Sequence, residues 1–251
     1  MKSKFLWTLL AIFAFLFFLV LYMPAKHLLQ SQSLPKGVNL YGISGTVWEG
    51  KAQAVVVNGI PVTNVEWEIS GLSLLIGRIH ADVHGGNLRD ANEVSFKGEI
   101  TTSLFSPQQV NSDEFLLFLP VDRVLAEVQL PVPVNAGGRF RVRIEQLSFG
   151  PNCNELIGFG DWLNATVAGT QGPIDFGNYS ATLRCENRGI GITVKEPNKL
   201  GLSLDAVLEA GFNGFSISGK FKPDPSLPEE VHQAGAIFGR PGPDGYIEFS
   251  L

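Results

Sequence analysis

Few residues in this 251-residue chain have both the type and the spacing that chemistry needs. His80, Asp82 and His84 are the nearest approach to a metal site, two imidazoles and a carboxylate being ordinary ligands for a divalent transition metal. At alternate positions of an extended strand they would share a face. Neighbours on that face stand about 6–7 Å apart, however, so they do not converge on one ion. No HExxH and no paired CxxC accompanies them, and the expectation is a solvated strand face with no metal ligands. Ser44 lies in Gly42-Ile43-Ser44-Gly45 without the GxSxG elbow that would expose a nucleophile. Walker and GxGxxG loops are absent as well. Asp113/Glu114 and Glu229/Glu230 are adjacent pairs, which suit the first turn of a helix better than an acid/base dyad. The sequence therefore predicts no catalytic residue, no cofactor-binding residue and no enzyme.

Cys153 and Cys185 are the two cysteines of the chain. If both face an oxidising compartment they can pair; two unrelated buried thiols are the alternative. Cys185 ends the alternation Tyr179, Ala181, Leu183, Cys185, which puts its side chain on the apolar face of a strand.

The compartment is set by the start of the chain. From Phe5 to Met23, 18 of 19 residues are apolar, Thr8 being the exception, and no charge interrupts them. About 20 helical residues span the roughly 30 Å hydrocarbon core, so the run is long enough to cross once. Trp7 and Tyr22 sit near its ends, where interfacial rings settle. A cleaved signal peptide is the competing reading, but Met23 would occupy the −3 position of the best small-residue site, after Ala25. Lys2 and Lys4 precede the run, so the positive-inside bias keeps residues 1–4 cytoplasmic and carries the remainder across. Expected boundaries are a cytoplasmic tail 1–4, a transmembrane anchor 5–23, a tether 24–40 and a periplasmic domain 41–251. A seam between two halves is expected near 129–136, where Pro131 and Pro133 fall.

Without Lys2 and Lys4, 17 basic residues face 24 acidic ones, a net of about −7. That sign excludes a nucleic-acid partner. With 17 % charged residues and 28 glycines the chain also lacks the composition of a helical bundle.

Period-two alternation dominates after residue 50. Val65, Trp67 and Ile69 alternate with Glu66, Glu68 and Ser70; Ile79, Ala81 and Val83 alternate with Arg78, His80 and Asp82; Phe140, Val142 and Ile144 alternate with Arg139, Arg141 and Arg143. The pattern returns in Leu204 and Leu208, and in Phe215, Ile217 and Phe221. One-sided strands of this kind belong to antiparallel sheets, because parallel strands are covered on both faces. The predicted fold is mainly β: one N-terminal transmembrane helix, then a large twisted, mostly antiparallel sheet of ten or more strands, curled or two-layered, with few short helices. Asn58-Gly59, Gly85-Gly86-Asn87, Gly137-Gly138 and Asp244-Gly245 are read as turns. Short helices are predicted over Ser112 to Leu119 and Pro228 to Phe238.

One segment stands out from this background. In Tyr41-Gly-Ile-Ser-Gly-Thr-Val-Trp-Glu-Gly50, three glycines surround Trp48, a layout suited to a tight turn whose indole packs under a neighbouring hairpin. With Gly42, Gly45, Thr46, Trp48 and Gly50, together with Asn58-Gly59-Ile60-Pro61-Val62, Trp67 and Gly239, Arg240, Pro241 and Gly245, the chain resembles the protein N family of the bacterial type II secretion system. That resemblance implies a non-enzymatic inner-membrane component, working with other inner-membrane subunits to export folded proteins from the periplasm across the outer membrane. It supplies no catalytic residue. The Gly-Thr-x-Trp-x-Gly segment is also similar to the start of AsmA-type membrane-anchored proteins, and the alternative it implies is handling of lipid or another hydrophobic ligand.

Overall fold

Fifteen β-strands, every pairing between them antiparallel, form one sheet in a computed structural model that describes residues 2–31, 37–126, 135–209 and 214–250. The strands are β1 (Val38–Tyr41), β2 (Ser44–Gly45), β3 (Glu49–Val57), β4 (Ile60–Ile69), β5 (Arg78–Gly85), β6 (Ser95–Ser103), β7 (Ser106–Ser112) and β8 (Phe115–Pro120). They continue as β9 (Ala136–Phe149), β10 (Cys153–Gly169), β11 (Gly172–Glu186), β12 (Gly189–Val194), β13 (Ser203–Leu208), β14 (Phe215–Phe221) and β15 (Ile247–Ser250). Their order follows the chain, with β1 at one edge and β15 at the other. The large antiparallel sheet expected from the alternation is present, with few short helices.

The connections explain the order. Asn58 and Gly59 have φ of +47° and +85°, the pair of left-handed residues that a two-residue hairpin with the right twist requires, and they join β3 to β4. Gly137-Gly138, expected as a turn, lies inside β9 instead. Gly138 has a φ of +100° there, and a Cβ on it would fall 2.5 Å from the Leu163 carbonyl oxygen. The glycine pair thus serves a register shift between β9 and β10, not a chain reversal.

The helix predicted over Ser112 to Leu119 is also corrected. β7 and β8 occupy that stretch, lying end to end between β6 and β9, with Asp113-Glu114 at the jog. A short unbroken apolar run fits a strand buried on both faces as well as a helix, and here tertiary pairing decides. Arginine stems cover the second face: Phe118 lies 4.2 Å beneath the Arg139 guanidinium, and Leu116 stands opposite Arg143. A short α3 (Gly71–Leu75) links β4 to β5, and here the chain turns helical only after Pro120, in α4 (Val121–Ala126). The other predicted helix is present as α5 (Glu229–Gly235), with Pro228 as its N-cap residue and two glutamates in its first turn.

At the N-terminus α1 (Lys2–Leu21) is followed by α2 (Ala25–Ser31). Among the described residues, no helix is long and apolar enough to cross a membrane. The helix stops at Leu21, before the end of the apolar run, because Pro24 bridges to Thr46 of the sheet. Within the expected tether 24–40, α2 and the first residues of β1 are structured, and residues 32–36 lie outside the described residues. So does most of the expected seam, at residues 127–134.

The buried core is small and marginal to the sheet. Ala165, Phe176, Tyr179 and Leu227 form its main cluster, where the segment leading into α5 folds over the far ends of β10 and β11. Val121 and Ser95 are fully buried near α4. Arg139 closes that margin by donating to the Leu88 and Glu93 carbonyl oxygens and to Ser95 Oγ, at 3.0, 3.3 and 2.9 Å.

Candidate functional site

Trp48 and its glycines meet the end of the apolar helix. Gly42 and Gly45 adopt φ of +64° and +86°, conformations open to residues without a Cβ, and turn the chain through β2 into β3. Thr46 locks the turn: its N–H donates to the Glu49 carbonyl oxygen at 2.8 Å, and its Oγ1 accepts from the Glu49 N–H at 3.1 Å. The last carbonyls of any helix lack intrahelical donors. Here the Val20 carbonyl oxygen, which takes the Met23 N–H at 3.3 Å, accepts from Trp48 Nε1 as well, at 2.9 Å, and the Val47 N–H donates to the Met23 carbonyl oxygen at 3.0 Å. Trp67 Nε1 in turn donates to the Val47 carbonyl oxygen at 3.1 Å. The segment is a clasp that fixes α1 against the sheet. Sequence reading placed Trp48 in a tight turn but missed its acceptor; the signal was an indole N–H needing a partner close after a helix with orphan carbonyls.

From that clasp two ranks of directly opposed residues run across one face. The first is Gly50, Trp67, Val83, Gly98 and Phe115 from β3 to β8. It continues through Ile144, Gly158, Leu183, Ile192, Ala206 and Ile217 to β14. The second passes through Gly85, Phe96, Leu117, Val142 and Gly160. Ala181, Val194, Leu204, Gly219 and Phe249 complete it. Neither rank contains a polar side chain, and every member with a Cβ stays partly exposed. Four glycines are roofed by the aromatic ring directly opposite: Gly50 by Trp67, Gly98 by Phe115, Gly85 by Phe96 and Gly219 by Phe249. Gly160 is different, since a Cβ there would meet only the Ala181 Cβ, at 3.8 Å.

The opposite face carries the charged side chains of these strands, interrupted by apolar residues such as Phe118 and Phe159. Glu49, Glu68, Asp82 and Glu99 stand directly opposite one another across β3, β4, β5 and β6, a row of like charges that costs stability. His84 is 3.2 Å from Glu66, and His80 lies 3.9 Å from Glu99 and shares a 2.9 Å hydrogen bond with Thr101. His80, Asp82 and His84 therefore each face a different neighbour. Among the described residues, no three His, Cys, Asp or Glu are grouped to hold a metal ion. Further along, Arg141 donates twice to Asp161 Oδ2, at 3.0 and 2.8 Å, and Ser180 donates to Oδ1. Burial raises the Asp161 pKa, but these bonds and the Arg141 and Arg143 charges outweigh it and hold the carboxyl below its ordinary value.

Cys153 and Cys185 are joined, with Cα atoms 5.4 Å apart, and tie the open ends of the β10–β11 hairpin. Beneath the far end of that hairpin the Tyr179 hydroxyl is buried. Burial pushes its pKa up to about 12; the Leu200 backbone opposes this but does not reach hydrogen-bonding geometry.

Known proteins resemble this chain along most of its length. The family model described as type II secretion system (T2SS), protein N matches residues 36–250. A type II secretion system protein N of Vibrio cholerae is 28 % identical, covering 90 % of this chain and 88 % of its own. That of Aeromonas hydrophila is 27 % identical over 100 % and 98 %, and that of Klebsiella pneumoniae 23 % over 98 % and 94 %. No solved structure matches. Matched through the clasp and the sheet to β15, the chain belongs to the type II secretion system protein N family.

Proposed function

We propose that this protein is a non-enzymatic inner-membrane component of the type II secretion machinery, supporting export of folded proteins from the periplasm across the outer membrane by contacts with other inner-membrane subunits. Family membership carries this reading. Residues 1–4 lie in the cytoplasm, 5–23 anchor the chain in a single pass, 24–40 form the tether and 41–251 the periplasmic domain. In support of the anchor, large apolar side chains of α1 from Leu6 to Leu21 are exposed on all sides, as in a helix that is covered by lipid. In support of the compartment, the Cys153–Cys185 bridge is of a kind that persists in an oxidising space.

Docking requires no chemical motif. The edge strands β1 and β15 offer backbone hydrogen bonds to an added strand, and the face opposite the two ranks offers charge. A clean deletion of the gene tests the function: loss of secreted folded proteins from the medium, with their retention in the periplasm, is expected. Unchanged secretion refutes the reading. Photo-cross-linkers at Lys97 or Lys220 should capture sister subunits in intact cells.

A further inference from the structure

We propose that the apolar face of the sheet is a trough for the acyl chains of membrane lipid, open at the clasp and running toward β14. The two ranks present hydrocarbon and glycine from β3 to β14 without one polar side chain. Ten strand-to-strand steps at about 4.8 Å make a path of about 48 Å, longer than the roughly 30 Å of a whole hydrocarbon core. Every member of both ranks that has a side chain is partly exposed where a packed core would bury it, and the main buried cluster, around Leu227, lies at the far ends of β10 and β11.

The chemistry of the surface selects the occupant. Its backbone donors and acceptors are engaged in the ladder, so the face offers an added strand no hydrogen bonds. It has no charge or hydroxyl to orient a polar ligand. A slender, flexible hydrocarbon needs neither, and gains simply by leaving water. The floor has room for one: around Gly160 the opposed residues are Val142 and Ala181, and a methyl group at Gly160 would touch only Ala181.

Position supplies the source. The first rank starts at Gly50 and Trp67, and Trp67 is bonded through Val47 to Met23, at the end of the apolar helix. A trough that begins where α1 ends opens at the surface of whatever bilayer α1 enters, so this inference rests on the anchor proposed above.

The test uses the full chain reconstituted in vesicles of phosphatidylethanolamine and phosphatidylglycerol whose acyl chains carry an alkyne tag. A photoreactive residue replaces Ile217 at the far end of the first rank, or Ser216, its neighbour on the opposite face. Lipid label is expected at position 217 over 216 by about tenfold, the ratio that 1.4 kcal/mol of preference gives. Gly160→Trp should cut the label at 217, because the plug stands between clasp and probe. Its backbone φ is outside the left-handed region, and the retained disulfide reports correct folding. Ala181→Phe provides a second plug. Equal labelling on both faces, label at 217 that neither plug reduces, or cross-links to a protein in place of lipid would each overturn the trough. Flotation after an alkaline wash reads the anchor separately. Chains that leave the vesicles refute the anchor and the lipid supply together, whereas chains that float without label at 217 refute the trough alone.

Discussion

Breaking the bridge between Cys153 and Cys185 should loosen the sheet by an amount that follows from its place in the chain. The bond spans 32 residues, and closing a loop of that length removes about 3.7 kcal/mol of chain entropy from the unfolded state. The loop it closes is the β10–β11 hairpin, whose strands are the longest of the sheet. A Cys153→Ala, Cys185→Ala double variant keeps both backbones and removes only the tie. For a protein of this size 1 kcal/mol moves the melting midpoint by about 2–4 °C, so the variant should melt about 7–15 °C lower. The assay is thermal unfolding followed by circular dichroism near 215 nm in detergent, with and without dithiothreitol. The native chain should fall to the midpoint of the variant when reduced, and the variant should not respond. A variant that melts with the native chain, or a native chain indifferent to reductant, would refute the view that the tie acts through the unfolded state.

Other outcomes follow from single side chains. Trp48→Phe keeps the ring but removes one of the two donors to the Val20 carbonyl oxygen, which retains the Met23 N–H, at a cost of about 0.5–1.5 kcal/mol; amides of residues 20–23 should then exchange hydrogen faster, with those of β11 unchanged. Tyr179 has a folded-state pKa raised to about 12 from its ordinary 10, so its contribution is fully present below pH 10 and is lost as pH climbs toward 12. Tyr179→Phe should flatten that alkaline loss in urea titrations, and a variant that loses stability as steeply as the native chain counts against it. Glu68→Gln relieves repulsion from Glu49 and Asp82 at once, each opposed like pair being worth about 0.2–1 kcal/mol. It should raise the melting midpoint in low salt and lose the advantage in high salt.

Local alternation carried most of the fold. β5, β9 and β14 were legible because one face is apolar and the other is not, so the pleat shows directly in the sequence. The Asn58-Gly59 turn was legible for the same local reason. Phe115 to Leu119 was not, because its second face is covered by arginines from β9, a fact stored in a later strand. Gly137-Gly138 reads as a turn until β10 is laid beside it. The row Glu49, Glu68, Asp82 and Glu99 was invisible for a related reason. Each glutamate or aspartate sits at an ordinary outward position, and only the register of three hairpins brings them opposite one another. The clasp residues were singled out by glycine spacing around one tryptophan, yet their role depends on carbonyls of α1 that carry no residue-specific mark.

Gly50 is a residue with nothing to contribute except absence, and that absence governs an angle. A single methyl there would lie 2.3 Å from the Trp67 ring and 2.8 Å from the Thr46 carbonyl oxygen. The indole would have to swing away, dragging its N–H off Val47 and, through Val47, the prop beneath Met23. One hydrogen atom's worth of space in a strand thereby sets the tilt at which the greasy N-terminal rod departs from the sheet.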